Sequence, residues 1–413
     1  MLAPQGRQTI AASHAILRRL DASPVECAFE LCGARIVSES SELNWTDAAG
    51  EHHARWQSAA GLPPPKRVQV VGDEMRADEA WRLACEGTAL LWQGDFQNAR
   101  QLLSAMGRRV DRKKRKPADG EAPLFPHAFH LYRQAQAQRA RTLGQLLVPM
   151  TADYRIELRR APEVADACLA AWGVSDQPVV VSLRELLGAV GAYQWQLKGV
   201  EVPALGGRIH PVHGVFSPVR GEYVALVAEA PLPATDLAFD VGTGTGVLAA
   251  VLARRGVGQV VATDTSDRAL ACAADNLSRL GLAEQVRLER ADLFPEGQAS
   301  LVVCNPPWVP AKPTSAVEAA VYDPDSRMLR GFLEGLGTHL APGGEGWLIL
   351  SDLGEHLGLR TRDALMGWID AAGLRVIDRV DTRPGHGKAS DANDPLHAAR
   401  AKEVTSLWRL AVR

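Results

Sequence analysis

The residues best suited to chemistry fall in two short stretches of the C-terminal half. The first, Asp240-Val241-Gly242-Thr243-Gly244-Thr245-Gly246, ends an apolar run and opens a helical one. Glycine at alternate positions lets the backbone turn sharply and approach a ligand with no Cβ in the way. A dinucleotide fingerprint would want glycine or alanine where Val247 stands, and no Lys-Ser/Thr pair follows to cradle phosphates. Asp264 closes the next strand-like run, at the carboxyl edge where open α/β sheets bind ligands. A carboxylate there can accept both hydroxyls of a ribose. Asp292, after the third run, is placed to accept from an adenine amino group. Either acid alone would serve equally as a helix cap or a solvated loop acid. The second stretch is Val303-Cys304-Asn305-Pro306-Pro307-Trp308. Its prolines fix the backbone and offer no N–H, so the Asn305 side-chain carbonyl and the Pro306 backbone carbonyl can face one planar NH2 as paired acceptors. Trp308 offers a flat face for a base or an amide plane; the plainer alternative is a buried tryptophan after a proline turn.

With these residues in this order, the segment of about 207–413 resembles the class I S-adenosylmethionine-dependent methyltransferases of the "methyltransferase small" type. The resemblance implies a Rossmann-like sheet, S-adenosyl-L-methionine as cofactor, S-adenosyl-L-homocysteine as product, and no metal. It implies that Asp240, Gly242, Thr243, Gly244 and Gly246 lie against the methionine part, Asp264 at the ribose, and Asp292 with Leu293 beside adenine. The Asn305-Pro306-Pro307-Trp308 motif is similar to that of amino-methylating DNA and RNA enzymes and of release-factor glutamine methyltransferases. These four are therefore the expected catalytic set, with Asn305 also bordering the cofactor. The lone pair of an amide or aromatic amine is delocalised, so acceleration should come largely from holding the nitrogen in line with the methyl–sulfonium bond.

Upstream, the stretch 209–223 resembles the segment that covers the cofactor in these domains. Phe216 is expected against the cofactor and Arg220 at a carboxylate; the alternatives are core packing for Phe216 and a surface ion pair with Glu222 for Arg220. His210 and His213 have no third ligand nearby in sequence and read as ordinary histidines. Downstream, Tyr322-Asp323-Pro324 stands where the glutamine enzymes carry a Glu-Pro pair, and Ser326 reads as the cap of the following helix.

The elements that must position these residues alternate regularly after residue 235. Strands are expected at 237–241, 259–263, 286–289, 301–304 and 346–350, with helices at 247–255, 267–280, 326–340 and 361–372. Such alternation predicts a mostly parallel sheet wrapped by helices on both faces. The runs 375–382 and 405–412 flank a Gly/Asp-rich stretch and are expected to pair antiparallel at an edge. Before residue 235 the pattern is mixed and helix-rich: helices at 9–20, 77–92, 96–110, 125–147 and 162–172, and short strands at 67–71 and 153–158. The fold class is thus α/β: a class I methyltransferase sheet, mostly parallel with an antiparallel edge strand, preceded by a helix-rich α/β domain. The expected division is an appendage at 1–60, a substrate-recognition domain at 61–206 and the methyltransferase domain at 207–413.

Composition bounds the possibilities. With 413 residues, 46% hydrophobic and 23% charged, the chain is neither disordered, fibrous nor a small disulfide scaffold. A net charge of −2 gives no global basic field for nucleic acid. The run Arg108, Arg109, Arg112, Lys113, Lys114, Arg115 and Lys116 could contact phosphates locally, or be a solvated helix end. Six cysteines without a CxxC pair fit a reducing compartment, and no signal-like start or long apolar span is present, so a cytoplasmic location is expected. The expected function is N-methylation of a planar nitrogen, foremost an exocyclic amine of RNA. A protein glutamine amide, a small molecule, and a catalytically silent cofactor-binding module are the alternatives.

Overall fold

The computed structural model describes residues 42–112, 125–219, 221–314, 316–385, 391–392 and 394–413. The helix expected at 9–20, Lys113 to Lys116 and Arg220 lie outside them, as does the side chain of Arg112.

The N-terminal layer is a six-stranded mixed sheet. Its elements are β1 (Glu42–Asp47), β2 (Gly50–Gln57), β3 (Val68–Val71), α1 (Ala77–Cys85), β4 (Ala89–Trp92), α2 (Phe96–Arg112), α3 (His127–Leu143), β5 (Leu146–Met150), α4 (Ala165–Trp172), β6 (Val179–Ser182) and α5 (Leu183–Lys198). The strand order is β1-β2-β6-β5-β4-β3. Alternate residues of β4 point to opposite faces. Leu90 and Trp92 meet the helices through Ala80, Phe96, Leu102 and Leu186, while Ala89 and Leu91 meet Leu43, Leu147 and Val180. β2 pairs in parallel with β6, Arg55 opposite Val179, so this one sheet takes strands from both sides of residue 60.

Two expected helices are shorter than the sequence pattern suggests. The one expected over 77–92 stops at Cys85; Gly87, with φ +80°, turns the chain, and residues 89–92 become the wholly buried β4. The one expected over 125–147 ends at Leu143, and residues 146–150 form β5. No strand forms at 153–158, where Tyr154 takes a left-handed φ of +60° and its hydroxyl donates to Gly173 O.

A two-stranded ribbon, β7 (Val200–Val202) and β8 (Gly207–Ile209), leads into the second sheet. That layer contains α6 (Glu222–Glu229), β9 (Leu237–Val241), α7 (Val247–Arg254), β10 (Gln259–Asp264), α8 (Asp267–Arg279), β11 (Val286–Arg290), β12 (Ala299–Cys304), α9 (Ala316–Ala319) and α10 (Arg327–His339). It ends with β13 (Leu340–Ser351), α11 (Leu353–His356), α12 (Arg362–Ala371), β14 (Leu374–Thr382), α13 (His397–Arg400) and β15 (Thr405–Val412). The order is β11-β10-β9-β12-β13-β15-β14, parallel through β13, with β15 antiparallel to both neighbours, as the alternation implies. One face packs Val260, Val303 and Ile349 against α6 and α7; the other packs Phe239, Val302 and Leu348 against α10 and α12. The chain leaves β9 toward β10 on one side and returns to β12 on the other, which opens a crevice at the carboxyl ends of β9 and β12.

Candidate active site

The crevice brings the two chemical stretches together. Cys304 lies opposite Val241 in the parallel ladder, so Asn305 and Gly242 leave adjacent strands side by side. Gly242, Gly244 and Gly246 all adopt positive φ, between +56° and +79°. Gly242 N and Thr243 N both donate to Thr263 O, at 2.9 and 2.8 Å, which folds the loop back over the end of β10. Asp240 is buried beneath the loop; its Oδ2 accepts from Thr243 Oγ1 at 2.6 Å and from Ala249 N at 3.0 Å. Burial raises its pKa to about 6, opposed by those two hydrogen bonds and reinforced by the nearby Asp264 charge.

Asp264 closes the loop from the other side. One carboxylate oxygen accepts from Gly244 N at 3.0 Å, the other from Ser266 N at 2.9 Å. Each oxygen keeps acceptor capacity for a ligand hydroxyl. Asp292 is exposed, and its carboxylate is held by Arg327 Nη2 at 2.8 Å. Leu293 has φ +80°, and its carbonyl accepts from Thr263 Oγ1 at 2.5 Å.

At the proline corner, Trp308 Nε1 donates to Asn305 Oδ1 at 2.9 Å. The indole is half-buried and packs against apolar clusters on both sides, so its ring is as much wall as open face. Beyond Pro306 and Pro307, Val309 pairs with Tyr322 in a parallel bridge and returns the chain to the start of α10. Asp323 caps that helix: its carboxylate accepts from Met328 N at 2.9 and 3.1 Å and from Leu329 N at 3.2 Å. Ser326, expected to be the cap, precedes the helix at φ +53° and makes no side-chain capping bond. The carboxylate three residues upstream takes the exposed amides instead.

Upstream, Phe216 is half-buried in the loop that precedes α6. Asn276, which sequence reasoning missed, ties this loop to the glycine turn: its Oδ1 accepts from His210 N at 2.7 Å and its Nδ2 donates to Thr245 O at 3.0 Å. A polar residue on the otherwise apolar face of α8 was the signal available. Arg268, also missed, donates to His213 O at 3.1 Å and to Ala171 O at 2.9 Å. The His210 ring meets Gln196 O at 2.7 Å, its carbonyl accepts from Cys272 Sγ and Asn276 Nδ2, and burial lowers the pKa of His213. Among the described residues, no group of three or more His, Cys, Asp or Glu could hold a metal, and no helix is long and apolar enough to cross a membrane.

The described part of the basic run is partly compensated. Arg109 Nε donates to Asp78 at 2.6 Å and Nη1 to Ala105 O, and Asp111 pairs with Arg139; Arg108 is exposed.

Residues 207–359 match the family described as the methyltransferase small domain. A release factor glutamine methyltransferase of Cereibacter sphaeroides is 30% identical over 205 residues, which covers 46% of this chain and 70% of that protein. The chain belongs to the methyltransferase small domain family. It is an S-adenosylmethionine-dependent methyltransferase with a class I fold. A second relative, the release factor glutamine methyltransferase of Mycobacterium tuberculosis strain H37Rv, is 33% identical over 42% of this chain and 54% of its own length. The tRNA1(Val) (adenine(37)-N6)-methyltransferase of Shewanella woodyi is 30% identical over 33% of this chain. The chain thus spans about half the length of the Mycobacterium relative and 61% of the Shewanella one.

The residues of this methyltransferase fit its cofactor. A Cβ on Gly244 would meet nothing within 4 Å, so open space adjoins the loop where a ligand backbone can rest. Among the described residues, Ser217 Oγ and Glu222 Oε1 are buried without partners, and Tyr223 beside Glu222 feels the charges of both Glu222 and Asp240. The unpartnered Glu222 oxygen and the buried Asp240 carboxylate, both acting on Tyr223, suit an ammonium group.

Proposed function

We propose that this methyltransferase transfers a methyl group to a planar NH2 of a macromolecule, and that the acceptor is the side-chain amide of a protein glutamine. The observation that carries the reading is the placement of Asn305 beside Gly242, with Trp308 bonded to one lone pair of Asn305 Oδ1. The second lone pair and the Pro306 carbonyl remain as a pair of acceptors for one flat amine. When bound, the cofactor supplies an electrophilic methyl on a sulfonium. Asn305 Oδ1 and Pro306 O accept the two N–H bonds and turn the nitrogen lone pair toward that methyl. Transfer would exchange the methyl–sulfur bond for the new N–C bond, and the surplus proton would leave the nitrogen for water. Asp264 serves the ribose hydroxyls, Asp240 with Gly242, Thr243, Gly244 and Gly246 the methionine part, Leu293 and Asp292 the adenine side, and Phe216 and Arg220 the cover. Adenine and Arg327 then compete for Asp292, an exposed pair that costs about 1 kcal/mol or less to open. Residues 207–413 carry the transfer and the preceding α/β layer selects the acceptor.

Glutamine comes first because two relatives act on release-factor glutamine by name, and because Arg109, in the basic run, is already bound to Asp78. The second reading, an exocyclic amine of RNA, draws on the Shewanella relative and on exposed Arg108. The test is incubation with methyl-labelled S-adenosylmethionine and extract of a strain lacking the gene, followed by separation into protein, RNA and small molecules. Label in protein that hydrolysis releases as methylamine is the expected result. Label confined to RNA establishes the second reading, and label in neither macromolecule defeats the proposal.

A further inference from the structure

The segment that follows the proline corner is gripped from outside its own layer. Arg133, on α3 of the N-terminal layer, donates Nη1 to Glu318 Oε1 at 3.1 Å and Nη2 to Glu318 Oε2 at 3.2 Å. The same Nη2 donates to Lys312 O at 2.8 Å, and the guanidinium carbon sits 4.1 Å from the centre of the Tyr322 ring. Glu318 also accepts from Thr314 N and Oγ1, at 2.8 and 2.7 Å. One turn earlier on the same helix face, Phe129 is buried among Val309, Leu353, Leu357 and Leu396, with Trp308 packed alongside. Arg133 therefore fastens Lys312, Thr314, Glu318 and Tyr322 at one point. That chain stretch starts at Trp308 and ends at Asp323, the cap of α10. The Arg133 side chain is 17% exposed, enough shielding for a forked ion pair to hold its geometry.

We propose that Arg133 is a positioning residue for methyl transfer: it fixes the stretch between Trp308 and Asp323 that borders the acceptor, and so couples the N-terminal layer to the catalytic corner. The inference rests on the transfer reaction proposed above. A fork, a carbonyl contact and a ring stack are demands that lysine cannot meet together. Charge alone should therefore not rescue the site.

The test compares wild type with Arg133→Ala, Arg133→Lys, Glu318→Gln and the Arg133→Ala/Glu318→Gln double variant. Initial rates are taken against increasing protein fraction from the gene-deleted extract, and S-adenosylmethionine affinity is measured by calorimetry. In Arg133→Ala the apparent acceptor KM is expected to rise roughly tenfold or more, with cofactor affinity within about twofold of wild type. Arg133→Lys should show most of that loss, and the double variant should be little worse than either single one. Hydrogen exchange at residues 309–314 and 318–322 should quicken in Arg133→Ala. A lowered rate with acceptor KM unchanged would mean fewer folded molecules and would overturn the inference, as would full rescue by lysine or unchanged exchange. A wild type that labels no fraction defeats the reading underneath; a wild type that transfers beside an equally competent Arg133→Ala defeats this inference alone.

Discussion

The indole Nε1 of Trp308 and the side-chain oxygen of Asn305 are joined at 2.9 Å across two prolines that supply no N–H of their own. The bond sets the amide plane of Asn305, whose NH2 and oxygen ends would otherwise be free to exchange by rotation. A substrate amine then meets an oxygen, not an NH2. Trp308→Phe keeps a ring but removes this donor. We expect transfer to slow roughly fivefold, the worth of about 1 kcal/mol for one net hydrogen bond. Asn305→Ala should cost roughly 100- to 1,000-fold in kcat, on the scale of losing a preorganised contact to the reacting group. Calorimetric affinity for S-adenosylmethionine should hold in both variants; a parallel fall would assign Asn305 to the cofactor alone.

Asp264 joins the glycine loop to the start of α8 through Gly244 N and Ser266 N. Asp264→Ala removes both anchors and the acceptors for the ribose hydroxyls. Cofactor binding should weaken by about 1.5–3 kcal/mol, the usual range for hydrogen bonds to a charged group. The measurement is calorimetry with S-adenosylhomocysteine, which avoids turnover. A loss below a factor of three would mean the ribose is held elsewhere.

Gly244 and Gly246 separate the ligand from the fold. A Cβ at Gly244, φ +56°, meets nothing within 4 Å, whereas one at Gly246, φ +79°, meets Ala273 Cβ at 3.1 Å and its Cα at 3.2 Å. Gly244→Ala should therefore lower stability by only about 1 kcal/mol, from the left-handed backbone, yet weaken cofactor binding more. Gly246→Ala adds a clash with helix α8 that no side-chain rotation relieves, so it should cost about 2–3 kcal/mol in denaturant melts without ligand. The reverse ranking would place the cofactor against Gly246.

These residues show what was legible in the sequence and what was not. The second sheet announced itself because β9, β10 and β12 are apolar runs that end at Gly242, Asp264 and Asn305, and α8, α10 and α12 have periodic apolar faces. Its site residues are neighbours of those strand ends. The N-terminal layer was harder to read. Residues 89–92 and 146–150 are apolar on both faces, and such a run cannot be told from a continued helix until Gly87 and Gly144 are seen to end the preceding one. β1 and β2 carry charged and polar residues along much of their length and gave no strand signal. Asn276, Arg268 and Arg133 act through partners more than thirty residues away, and no local pattern marks such pairings.

Asp240 makes stability and cofactor binding depend on pH in opposite senses. Its pKa lies at about 6 in the folded chain against 3.8 for an unburied carboxyl, chiefly because burial penalises the charge. Between those values the folded state holds more protons than the unfolded one, so stability from this group is present below about pH 4 and is lost as pH rises through 6. The full swing is about 3 kcal/mol at most. Asp240→Asn retains an acceptor for Thr243 and Ala249 without the titration. Relative to wild type, the ligand-free variant should become progressively more stable from pH 4 to pH 7, read from urea midpoints. The ionised carboxylate, however, is the form that attracts an ammonium group, so wild-type affinity for S-adenosylhomocysteine should rise through pH 6 while that of Asp240→Asn changes less. Parallel pH profiles for the two proteins would show that Asp240 stays ionised throughout and serves only to hold the glycine turn.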